Sequence, residues 1–304
     1  MQHMSWVTTW EEWRKVLGRP NSLQRRNVDN FLETHPAILY WGDSWFSTPL
    51  YLNLAKQSVR RIQGLNMIIG KPGAEAAELF SKPEVARLAG RIESNPFDVV
   101  CLSAGGNDCL DENLAKLFAD WMGKKPKRTD RLDAAQAYSL FKNSTLLGEV
   151  TASYDRLLSR LKEIQADRKT LRVVGHPYVP IDLIGRPAGL TVDNIGLIAW
   201  LKNDVGPWLW GPMKFVLEDK LQGKEFAQLM LTEGFHKSVL LKLQEKYHGL
   251  FSVVDYSSAQ GMSDLDFWND EIHPTERGFE ILASPFNAAI RSILPESKQV
   301  AVSV

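Results

Sequence analysis

The chain has only two cysteines in 304 residues, Cys101 and Cys109. Two cannot make a disulfide framework, and Cys101 lies in an apolar run, so both read as reduced thiols. Histidine is scarce as well. The six are His3, His35, His176, His236, His248 and His273, with no two at close ligand spacing, and the cysteines form no CxxC pair. Neither a metal site nor a cofactor is expected. An excess of charge of either sign is also missing, because 36 basic residues balance 36 acidic ones. That leaves no net field to hold nucleic acid or an anionic membrane surface. The one basic run, Lys124, Lys125, Lys127 and Arg128, is broken by Pro126 and followed by Asp130 and Asp133, as in a solvated loop. Long hydrophobic runs are absent. No stretch approaches a membrane span, and tryptophans and charges interrupt the first eighteen residues where a signal peptide needs an apolar core. A cytoplasmic protein is expected, acting on a small molecule.

What is present is 44% hydrophobic content, enough for a large core. It fits one domain over 1–304, with an N-terminal helical extension over 1–26. Five short apolar runs have the length of buried strands: Ile38–Trp41, Leu65–Ile69, Phe97–Ser103, Leu171–Gly175 and Phe251–Asp255. Between them Glu75–Leu88, Ser139–Ile164 and Lys224–Tyr247 carry apolar residues at helical spacing. This alternation predicts a parallel, doubly wound sheet. Two stretches exceed it: a charged insertion over 111–135, and a Trp-rich one over 185–218 containing Trp200, Trp208 and Trp210, which is a candidate lid.

In an open parallel sheet the loops after the strands converge on a crevice. After the first predicted strand comes Gly42-Asp43-Ser44-Trp45, after the second Gly70-Lys71-Pro72-Gly73-Ala74, after the third Gly105-Gly106-Asn107-Asp108, and beyond the fifth Asp270-Glu271-Ile272-His273-Pro274. A serine hydroxyl needs an imidazole to take its proton and a carboxylate to fix the imidazole tautomer. Ser44, His273 and Asp270 supply these groups. The N–H groups of Ser44 and Gly73, with the Asn107 amide, are candidate donors to an oxyanion.

At these blocks the chain resembles the SGNH (GDSL-like) hydrolases, which carry a serine in GDS, a glycine after the second strand, an asparagine in GxND, and a late DxxH. The resemblance covers short blocks in order, and two positions depart from it. Trp45 stands where leucine is usual, and an asparagine common near the second-block glycine is replaced by Ile68 or shifted to Asn66. It implies a flavodoxin-like three-layer α/β/α fold with a mainly parallel five-stranded sheet and helical insertions. It also implies metal-free ester hydrolysis through an acyl-enzyme, with Ser44, Asp270 and His273 as triad and Ser44, Gly73 and Asn107 as oxyanion hole.

Each residue has a plainer use. Ser44 could cap a helix, Asp270 could bond locally, and Asn107 and Gly73 could serve turns. Asp264 and Asp266 are substitute orienting acids and His176 a rival base, whereas His35 precedes the first strand. His3, His236 and His248 read as structural or exposed, and Asp43 and Asp108 as loop-fixing carboxylates. Trp45 and Trp268 are candidate substrate contacts, for an acyl or alcohol group or a sugar ring. A short-chain carboxylesterase or lipase-like enzyme is the first expectation and a carbohydrate O-acetyl esterase the second. A binding module on the same fold, without turnover, is a third. A nucleotide binder is disfavoured because no GxGxxG or Walker loop follows the first strand, and an α/β-hydrolase because Ser44 lacks the G-x-S-x-G elbow.

Overall fold

The computed structural model describes residues 6–48, 51–119, 123, 130–187 and 206–304. The basic run at 124–128 and Trp200 lie outside them. Five strands form one all-parallel sheet: β1 (Ala37–Gly42), β2 (Leu65–Gly70), β3 (Val99–Ser103), β4 (Arg172–Gly175) and β5 (Phe251–Val253). Their order is β2-β1-β3-β4-β5, the flavodoxin-like doubly wound arrangement. Chain order reverses direction between β1 and β3, and a crevice opens beyond their carboxyl ends.

The sheet is the middle of three layers. On one face the helices Leu54–Val59 and Glu276–Ile293 pack together, and Tyr40 of β1 reaches Ser58 and Phe286 there. On the other face Leu146–Asp167 packs on Lys82–Glu93. Its Tyr154 donates a hydrogen bond to the Ala104 carbonyl at 2.8 Å and lies beside Phe251 of β5. Every residue of β1 and β3 is buried, so these strands read as unbroken apolar runs rather than alternating ones.

The strand ends pinch together where the functional loops begin. A Cβ on Gly70 would lie 1.8 Å from the Gly42 carbonyl oxygen, and one on Gly42 would lie 2.6 Å from the Ser103 Cβ. Only glycine fits at both places.

Several boundaries differ from the pattern-based expectation. The third strand begins at Val99; just ahead of it Asp98 Oδ2 accepts the Ala37 N–H at 2.9 Å, and Lys298 pairs with the carboxylate at 2.7 Å. Glu75–Leu88 is not one helix. It breaks into Ala76–Leu79 and Lys82–Glu93, because Ser81 followed by Pro83 in the first turn starts a new helix. Ser139–Ile164 likewise divides into Ala134–Lys142 and Leu146–Asp167 at Asn143-Ser144-Thr145. Lys224–Tyr247 is continuous but changes winding, from the α-helix Lys220–Leu229 to a wider π-helix over Met230–Leu241 and back at Lys242–Lys246.

The N-terminal helices, Trp10–Leu17 and Leu23–Phe31, run past residue 26. The first is started by a Thr9–Glu12 capping box. Ahead of them Val7 bonds to the edge of β2, donating to the Asn66 carbonyl and accepting from the Ile68 N–H, both at 2.9 Å. An otherwise open sheet edge is thereby partly satisfied. Among the described residues no helix is long and apolar enough to cross a membrane.

Candidate active site

Ser44 opens a short helical turn, Ser44–Ser47, immediately beyond β1. Asp43 caps that turn: its Oδ1 accepts the Trp45 N–H at 3.0 Å and the Ser103 hydroxyl at 2.8 Å, and its Oδ2 accepts the Tyr178 hydroxyl. The loops after β1, β3 and β4 are therefore joined at one buried carboxylate. Burial pushes the Asp43 carboxyl above its ordinary pKa, and the Tyr178, Ser103 and Trp45 donors pull it only part of the way back. The Ser44 N–H, first in its turn, donates to no described residue.

His273 lies 229 positions later in the chain, yet its Nε2 is 3.1 Å from the Ser44 Oγ. Its Nδ1 is 2.9 Å from Asp270 Oδ2 and 3.1 Å from Oδ1. Asp270 also accepts the backbone N–H groups of Ile272 at 2.9 Å and His273 at 2.8 Å. The three-residue step thus folds into a tight turn that holds carboxylate and ring together. Ser44 is 4% exposed, His273 1% and Asp270 0%. Burial alone would depress the His273 pKa. The Asp270 charge and hydrogen bond override it, with a smaller contribution from Asp43, and hold the imidazole above its ordinary value of 6.5.

Asn107 begins the short turn Asn107–Cys109 after β3, and its amide donates to the Ala74 carbonyl at 2.9 Å. Next to it Asp108 Oδ2 accepts the Ala76 N–H at 2.8 Å, so the loop after β3 fastens the loop after β2 at two points. Burial lifts the Asp108 carboxyl to a pKa of about 6. Gly73 sits in the fastened loop with φ +73° and is exposed.

A cavity of about 40 Å³ lies against the Ser44 hydroxyl. Asp43, Asn107 and His273 give it polar atoms, and Trp45, Tyr178, Ile181, Leu209, Leu231 and Ile272 are among its apolar walls. Gly73 is not part of that lining.

The two tryptophans expected to contact substrate separate here. Trp45 lines the cavity, stacked on His176 and edge-on to Tyr178 and Phe279. Trp268 does not line it. It is 1% exposed, donates its indole N–H to the Met262 carbonyl at 2.8 Å and packs on Phe267, which makes it a support beneath the Asp270–His273 turn.

The rival base and the substitute acids lie elsewhere. His176 is enclosed by Trp45, Phe46, Tyr178, Tyr256 and Phe286, and burial lowers its pKa to about 4, so at neutral pH it carries no charge. Asp266 pairs with Arg277 at the surface. Asp264 immediately precedes the short turn Leu265–Phe267, away from His273 Nδ1. His35 stacks on Phe31 ahead of β1, at the far edge of the sheet.

Of the Trp-rich insertion, 188–205 lies outside the described residues. Trp208 meets the His273 ring edge-on at 5.8 Å. Two residues carry weight that the sequence did not announce. Tyr178 follows β4 just after His176, which drew notice to that loop but to the wrong side chain. Glu271 lies inside the Asp270–His273 motif, is fully buried, and is lifted by burial to a pKa of about 7.

No family model matches the chain, and no curated protein matches it in sequence. Solved structures do. A phospholipase A1 from Streptomyces albidoflavus superposes with a TM-score of 0.44 at 18% identity, over 84% of this chain and 99% of that one. An extracellular lipase from Streptomyces rimosus gives 0.43 and 14%, over 84% and 99%. A candidate GDSL-like lipase from Parabacteroides merdae gives 0.39 and 15%, over 84% and 95%. The chain is similar to these proteins in the layout of its fold.

Proposed function

We propose that the protein is a serine ester hydrolase of the SGNH kind, working through an acyl-enzyme. The observation that carries this reading is the continuous relay from Ser44 Oγ to His273 Nε2 and from His273 Nδ1 to Asp270, closed at one end of a small apolar cavity. His273 takes the hydroxyl proton as Ser44 attacks the ester carbonyl, then returns it to the leaving alcohol. A water activated by the same base releases the acid. Asp270 holds the proton on Nδ1, leaving Nε2 to accept. In this reading the Ser44 N–H and the Asn107 amide, from two residues that line the cavity, are the donors to the developing oxyanion. The Gly73 N–H, in the loop that Asn107 tethers through Ala74, is the third donor in this reading.

The direct test is treatment with a fluorophosphonate followed by peptide mapping, which requires no knowledge of the natural ester. One adduct is expected, on Ser44. An adduct on another serine, or none, would remove Ser44 from the mechanism.

Two further outcomes follow. Asn107→Ala should reduce kcat/KM by about 10²–10³-fold, the usual cost of one oxyanion donor; a loss within about twofold would confine Asn107 to tethering Ala74. Catalysis also needs neutral His273. Because Asp270 holds its pKa above 6.5, the rate should be flat at higher pH and fall tenfold per unit below a midpoint higher than 6.5. A pH profile of kcat/KM with its acid limb below 6 would show that Asp270 does not stabilise the imidazolium.

A further inference from the structure

The turn that carries Asp270 and His273 holds a third buried group that the relay does not use. Glu271 is 0% exposed, and its carboxylate accepts three backbone N–H groups from the Trp-rich insertion. These are Leu209 at 2.5 Å, Gly185 at 2.9 Å and Trp210 at 3.3 Å. The Glu271 N–H donates to the Arg186 carbonyl at 3.1 Å, and the Arg186 guanidinium returns to the Trp268 carbonyl at 3.2 Å. A buried carboxylate is a costly way to fasten two stretches of chain, and it persists where its acceptor sites are filled. Here they are filled from within the Trp-rich insertion, by Gly185 at its start and by Leu209 and Trp210 further along.

The position of this clamp connects it to the cavity. Leu209, held by its N–H, is itself fully buried and forms one wall. Ile272 and His273, the next residues after Glu271, line the same cavity. One side chain therefore sets the spacing between the two. The space between them is small, about 40 Å³, and partly open to solvent.

We infer that Glu271 is a positioning residue that fixes the Leu209 wall against the Ile272–His273 turn, and that the cavity held in this way restricts the protein to esters of short acyl chain. This rests on the serine-hydrolase reading. Glutamine keeps one accepting oxygen and puts an NH2 donor where the other stood, so either the Leu209 N–H or those of Gly185 and Trp210 lose their acceptor in a dry interior, and the wall shifts outward. Truncating Leu209 widens the cavity directly while leaving every Glu271 hydrogen bond in place, since those bonds use the Leu209 backbone.

The experiment compares p-nitrophenyl acetate and p-nitrophenyl octanoate on the full chain, for the wild type, Glu271→Gln and Leu209→Ala. The wild type should favour acetate by about tenfold or more in kcat/KM, the scale at which a pocket rejects extra methylenes. Both variants should shrink that preference by about tenfold, mainly through a lower KM for octanoate. A merely structural role would lower stability without altering the ratio. A wild type that turns over both esters through Ser44 but prefers octanoate overturns the inference and leaves the hydrolase reading intact. So does an unchanged ratio in Leu209→Ala, which decides the matter if Glu271→Gln does not fold. Absence of Ser44-dependent hydrolysis of either ester removes the underlying reading, and the inference with it.

Discussion

Ser44→Ala should lower kcat by about 10⁶-fold, the loss seen when a serine nucleophile is removed from an intact relay. The fold should survive, because the hydroxyl bonds only to the His273 Nε2 among the described residues. Leaving that nitrogen without its partner costs ~1–3 kcal/mol of stability, a penalty that a water in the vacated space reduces. The Ser44 N–H and the Asn107 amide stay in place, so the variant should still bind ester while failing to turn it over. Steady-state kinetics on p-nitrophenyl acetate, with a thermal melt of the same sample, checks both halves. A variant that melts like the wild type and keeps more than about a tenth of its activity would mean that another group attacks the carbonyl.

Asp270→Asn should lower kcat by about 10⁴-fold with little change in structure. The asparagine carbonyl can keep the two backbone bonds to Ile272 and His273 that shape the turn. Its amide, however, presents a donor to His273 Nδ1, which drives the ring proton to Nε2 and removes the acceptor that Ser44 requires. The substitution also withdraws the charge that raises the His273 pKa. What activity remains should therefore show an acid limb shifted to lower pH than in the wild type. Asp266→Asn is the matched control. That carboxylate pairs with Arg277 at the surface, so its loss should leave kcat and the pH profile unchanged. Equal losses in the two variants would mean that Asp270 is not the orienting acid.

The parts of the architecture that were legible in the sequence are those set by local rules. The central strands β1 and β3 are short apolar runs because they are buried on both faces, and Gly, Asp, Asn and Ser gather after the strands because turns there demand them. The blocks carrying Ser44, Asn107, Asp270 and His273 lie where the alternation of elements puts strand ends, so their convergence could be anticipated. Helix breaks were harder. The apolar spacing across Glu75–Leu88 is periodic straight through Ser81, and only the Ser-Lys-Pro sequence marks the interruption. The π-winding of Met230–Leu241 leaves the apolar pattern helical, so periodicity cannot distinguish it.

Partnerships between distant loops were not legible at all. Tyr178 gives no sign in sequence that its hydroxyl answers a carboxylate 135 positions earlier. Glu271 reads as an ordinary surface acid until Gly185, Leu209 and Trp210 are seen around it. Trp268 stands among the expected substrate contacts because it lies near His273 in the chain. Proximity in sequence gave no information about which way the ring turns, and the Met262 carbonyl decides it.

The wiring of these loops also bears on how the protein comes into being. Ser44 meets its base across 229 positions, Asp43 is answered from beyond β4, and Asn107 and Asp108 bind back to Ala74 and Ala76. None of these contacts is local, and each requires a large loop to be closed before it yields any stabilisation. A folding intermediate containing only β1, β2 and β3 would display Ser44 with no imidazole beside it and Asp43 with no Tyr178. Such a species would be inert toward esters and toward fluorophosphonate, however native its sheet. Competence should therefore arrive in a single late step, when the Asp270–His273 turn docks. The rate at which a refolding sample becomes labelled at Ser44 would time that docking separately from the formation of the sheet.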